Sequence, residues 1–213
     1  MVQIIQANKV TLGYLEDKFH LQLAANDHFF TEWVINLPAL SDLEKQALDR
    51  IKSNYLHLTK RRPMIESIVK MVVLSPLLEL AGFYQPPFEI DGEPGVEISV
   101  EDEEEVVKGE IDVLVLHNQL WVLVIESKIG VSIEVGIPQA LAYMLGNLHP
   151  DKPIFGLITN GSHFIFLKLV QDTRQDAYSA QYAMSDEFSL LKRENDLYRV
   201  LSILKGLGGL IMQ

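Results

Sequence analysis

Asp112, Glu126 and Lys128 stand in or beside two apolar runs with the composition of neighbouring β-strands. The runs are Ile111 to Leu116 and Leu120 to Ile125, joined by His117-Asn118-Gln119, which carries a turn signal. Side chains two apart on a strand share a face, so Glu126 and Lys128 are expected to point the same way. Asp112 shares that face with Glu126 only if the two pair in register. That requires a link with an odd number of residues, or a bulge; an unbulged two-residue turn would set Asp112 opposite Ile125. Two ionised carboxylates a few ångströms apart repel each other, and a hard divalent cation relieves the repulsion. Oxygen donors without cysteine or histidine suit magnesium or manganese rather than zinc. Such an ion lowers the pKa of a bound water and steadies charge on a phosphate under attack, while a lysine beside it orients the water. Acid, acid and amine at this spacing suit metal-assisted hydrolysis of a phosphodiester.

Glu-x-Lys alone specifies little, because strand ends often carry both residues as solvated caps. Context adds the weight: an aspartate inside IDVLVL is costly to bury unpaired. Glu66, on a helix with a broad apolar face, stands one turn before Lys70 and could pair with it. Gln139 and Tyr143, four apart, share one helix face, the spacing of an ordinary side-chain contact. Glu110 reads as a strand-edge residue rather than a ligand. The six histidines show no metal-ligand spacing. Lys60-Arg61-Arg62 is the densest basic cluster, with a solvated helix start as its plain alternative.

The elements that must position these groups follow from periodicity. Residues 11–60 read as helical, with Ser41 and Glu44 forming a capping box before a helix over about 42–57. Pro63 is expected in the first turn of the next helix, and Ser75-Pro76 at the cap of a short one ending at Gly82. From 88 to 127 the period is that of three strands, including Val96 to Val100 and the two apolar runs. A helix follows Pro138 through about Leu145, then strands at 154–159 and 163–169 around Asn160-Gly161, and an amphipathic helix over 186–205. The order predicts an α/β fold, a mixed sheet flanked by helices. A helical amino-terminal extension (1–60) precedes a core (61–170), and a carboxy-terminal segment (171–213) packs on that core.

Composition bounds the function. The chain has 213 residues, 48% hydrophobic and 22% charged, the balance of an ordinary globular domain that can bury a core unaided. It has no cysteine, which excludes disulfides, thiolate zinc sites and cysteine nucleophiles and fits a reducing cytoplasm. No signal-peptide pattern opens the sequence, no run reaches the roughly 18 apolar residues of a membrane helix, and Asn160-Gly161-Ser162 reads as a turn rather than a glycosylation site. The formal charge of -11 opposes nucleic-acid binding at long range unless basic residues cluster or a partner supplies them. Part of the acid is local: Glu101 to Glu105 reads EDEEE, the composition of a solvated hairpin or loop.

GEIDVLVL, WVLVIESK and IPQALAYMLGN together resemble the PD-(D/E)xK nuclease superfamily. They are most similar to the amino-terminal nuclease domain of type I restriction enzyme R subunits and its stand-alone bacterial relatives. The resemblance spans about residues 60–170 and implies a restriction-endonuclease-like core and magnesium- or manganese-dependent cleavage of DNA. It assigns Asp112 and Glu126 as catalytic metal ligands and Lys128 as the catalytic lysine, with Gln139 and Tyr143 as the helix motif that follows. It also implies Glu66 as the helix acid and the Ser127 carbonyl as a further ligand. Thr159-Asn160-Gly161 followed by Phe164 matches the family's strand–turn–strand. The proline of the family name is replaced by Ile111. No Gly-Lys-Ser/Thr phosphate loop occurs, so translocation along DNA would need a protein partner supplying motor or specificity functions. A non-catalytic module on the same scaffold, binding nucleic acid or protein, is the rival expectation. The first 60 residues could form a homodimer, cover the site or dock a partner.

Overall fold

The computed structural model describes residues 3–99, 105–117, 120–127, 132–147, 149, 152–172 and 179–211. In chain order these form β1 (Gln3–Gln6), α1 (Leu12–Phe19), β2 (Leu21–Leu23) and α2 (Asp42–Thr59). A continuous helical stretch follows, made of α3 (Glu66–Val69), a π-helical turn (Lys70–Leu74) and α4 (Ser75–Ala81). Next come β3 (Phe88–Gly92), β4 (Gly95–Ser99), β5 (Glu105–Glu110), β6 (Val113–His117), β7 (Leu120–Ser127) and α5 (Ile137–Leu145). The chain ends with β8 (Ile154–Thr159), β9 (His163–Asp172), β10 (Ser179–Met184), β11 (Phe188–Ser189) and α6 (Leu197–Ile211).

The fold is mixed α/β. The larger sheet runs β2-β10-β9-β8-β7-β6-β3, with β11 paired to β9, and a smaller sheet runs β1-β5-β4. Pairing is parallel between β7 and β8, β2 and β10, and β1 and β5, and antiparallel elsewhere. Alternation along the central strands builds two cores. Ile154, Ile158, Ile165 and Leu167 face one core with α1, α5 and the small sheet. Phe155, Leu157, Phe164 and Phe166 face the other, with α2, the 66–81 helix and α6. Two-sided burial explains why β8 reads as an unbroken apolar run.

Several expectations change. The amino-terminal 60 residues do contain α1 and α2, but they also supply β1 and β2 to the two sheets, and Phe29 to Trp33 lies in turns. Strands this short carry too little pattern to be read alone, and their partners lie about a hundred residues away or more. Pro63 precedes the helix, which begins at Glu66. Ser75 is not a cap, because the helix runs through it without a break. Three strands, β3, β5 and β10, join those anticipated. Ile111 and Asp112 form a bend between β5 and β6 rather than the start of a strand. The last helix starts at Leu197, since β11 pairs with β9 and the Asp196 carboxylate accepts the Ser189 N–H at 2.8 Å. Residues 101–104 of the acidic run and the 118–119 link lie outside the described residues.

Candidate active site

Asp112 is positioned by the bend that precedes it. Ile111 is fully buried and its N–H donates to the Pro94 carbonyl at 3.1 Å, which fixes the chain at the β5–β6 junction. From there one Asp112 carboxylate oxygen meets the Lys70 ammonium at 2.7 Å. Glu66, one turn before Lys70 on the helix, meets the same ammonium at 2.8 Å. Side-chain exposure is 24% for Lys70, 16% for Asp112 and 45% for Glu66, so the group sits at the rim of the core with one side open to water. Burial works against the Lys70 charge, but the hydrogen bonds it donates to Asp112 and then Glu66 outweigh it and push the amine up to about 12. The cost of burying the aspartate is thereby met by a charged partner.

The backbone of Lys70 is also unusual. It opens the π-helical turn, and its carbonyl accepts the Ser75 N–H five residues on. Such turns insert an extra residue into a helix and recur at functional sites.

The β6–β7 register takes the bulged alternative. His117 pairs with Leu120 and Leu116 with Trp121, but Val115 pairs with Leu123 and Val113 with Ile125. One extra residue in β7 thus shifts the pairing, and the next residue outward is Asp112 on one side and Glu126 on the other. The backbone of Glu126 pairs with Ile158 of β8, and that of Ser127 with Thr159. The side chains of Glu126 and Ser127 and the whole of Lys128 lie outside the described residues.

Gln139 and Tyr143 come together on α5, where the Gln139 amide donates to the Tyr143 hydroxyl at 2.7 Å. Both are buried. They line a cavity of about 580 Å³ under the small sheet, shared with Gln6, Asn8, Lys108 and Glu110. A Cβ on Gly109 would meet Tyr143 at 2.7–2.8 Å, so only glycine lets β5 lie this close to the ring. Glu110, the last residue of β5, is exposed at this cavity, and Asp112 follows two residues later. The short segment 109–112 therefore connects the Gln139–Tyr143 pair with the Glu66–Lys70–Asp112 cluster.

Lys70 is the residue that sequence reasoning undervalued. Its four-residue spacing from Glu66 was legible, whereas its contact with Asp112, 42 residues away, was not. Among the described residues no group of three or more His, Asp or Glu side chains gathers as for a metal ion. The donor chemistry nonetheless suits a hard cation, since two carboxylates from separate elements converge on one positive centre. Lys60, Arg61 and Arg62 are exposed in the turn just before this helix. Among the described residues no helix is long and apolar enough to cross a membrane. No protein-family model matches this sequence, and no curated protein is similar to it.

Proposed function

We propose that this chain is a metal-dependent nuclease of the PD-(D/E)xK type, hydrolysing phosphodiesters in DNA. The observation that carries the reading is the convergence of Glu66 and Asp112 on one cationic centre, with a strand register that makes Glu126 the residue next along. Glu66, Asp112 and Glu126, with the Ser127 carbonyl, would hold magnesium or manganese. The ion, when bound, supplies an acidified water and charge stabilisation at the phosphate. Lys128 would orient the attacking water and balance charge as the phosphate is attacked. Gln139, held by Tyr143, would position the groups around the bend at Asp112. The exposed Lys60, Arg61 and Arg62 give a backbone phosphate its first counter-charge on a chain of net charge -11. A protein partner would supply motor or specificity functions, and a homodimer would double the basic surface.

Asp112→Ala and Lys128→Ala are expected to lower Mg²⁺- or Mn²⁺-dependent cleavage by about 100-fold or more. The assay uses linear, supercoiled, branched and single-stranded DNA. A second reading, a non-catalytic module on the same scaffold, is favoured by the net charge and by the ammonium already seated between the two acids. Wild type and both variants equally inert on every substrate would select it.

A further inference from the structure

We propose that Lys70 is a resident counter-ion of the acid pair, and that a divalent cation binds Glu66 and Asp112 by displacing its ammonium. This rests on the reading of those carboxylates as cation ligands. The two distances, 2.7 and 2.8 Å, place the ammonium in direct contact with both acids, where it neutralises charge that a metal would otherwise share. The structure also offers somewhere for the side chain to go. An apolar groove of about 260 Å³ opens beside Lys70, lined by Met71, Leu74, Leu78, Tyr84, Ile90 and Val113. A lysine stem lies well along such a surface while its charged end reaches water. Met71 and Tyr84 are exposed, so the groove is open to solvent at that side. Lys70 is therefore a positioning residue: it holds the two carboxylates together before the metal arrives and sets how tightly the metal is held.

The test is calorimetric titration of the full chain with Mn²⁺, comparing wild type, Lys70→Gln, Lys70→Met and each of these with Asp112→Ala. Removing the competing charge is expected to tighten binding by about tenfold or more. Asp112→Ala should abolish that gain. Equal or weaker binding by the Lys70 variants, with wild-type binding still dependent on Asp112, overturns the displacement and leaves the metal site standing. No Mn²⁺ binding by any protein overturns both. If the variants fail to fold, the wild type decides through amine-selective acylation read by mass spectrometry. Saturating Mg²⁺ should raise Lys70 labelling severalfold while Lys45, an exposed control on α2, stays constant; unchanged Lys70 labelling refutes the idea.

Discussion

Two helices pack on the same face of the large sheet, and they are built by opposite rules. In α2 every local device agrees. Ser41 accepts the Glu44 N–H, Glu44 accepts the Ser41 N–H at 2.7 Å, and Asp42 and Glu44 put negative charge in the first turn. Leu48, Ile51 and Tyr55 then turn inward at helical spacing. The 66–81 stretch lacks a side-chain cap at its start and changes to a π-helical turn midway. Each helix also carries a lysine–carboxylate contact. Lys205 of α6 bonds Glu44 and thereby closes an already satisfied cap. Lys70 instead stands between two acids from different elements. In this helix the departures from local rules, a missing cap and a π-helical turn, lie within one turn of Lys70.

Core truncation is the largest lever and should not distinguish the helices. Leu48→Ala in α2 and Leu77→Ala in α4 both remove fully buried side chains, and each is expected to cost about 3 kcal/mol in denaturant unfolding. A loss below about 1 kcal/mol at Leu77 alone would mean that the second helix is loosely packed as well as irregular. The cap should distinguish them. Ser41→Ala is expected to cost about 1 kcal/mol, whereas Ile65→Ala removes no capping bond, and an equal penalty at both sites would erase the contrast.

The smallest effect is a pH dependence. The Lys205 hydrogen bond, followed by that of the Ser41 backbone, holds the Glu44 carboxyl down from 4.5 to about 2. A depressed carboxylate contributes its full stability above the unfolded value and loses it as pH falls through the folded one. Wild type should therefore lose stability between pH 4.5 and about 2 more steeply than Glu44→Gln. Parallel curves from urea titrations over that range would show that the cap carries no linked proton.

What could be read in advance follows the range of each interaction. α2, α5, β8 and the β8–β9 turn were legible because their signals are local: a capping box, an apolar helix face, a continuous buried run, and Asn160 accepting the Ser162 and His163 N–H groups. β1 and β2 were not, since a three- or four-residue strand is defined by its partner, and β1 pairs with β5 a hundred residues on. β5 was hidden because an acidic run leads into it and its pairing with β4 and β1 is non-local. The start of α6 was misplaced because Phe188 and Leu190 serve a strand pair and a core rather than the helix.

The same division runs through the candidate site. Residue order alone determined that Asp112, Gln139, Tyr143 and the Glu66–Lys70 pair would be available, because side-chain chemistry and helical spacing are properties of the chain. Only the folded molecule decided that β7 bulges against β6, and that Lys70 reaches Asp112. Both depend on how separate segments pack, and a charge brought near another through tertiary contact leaves no trace in the spacing of either.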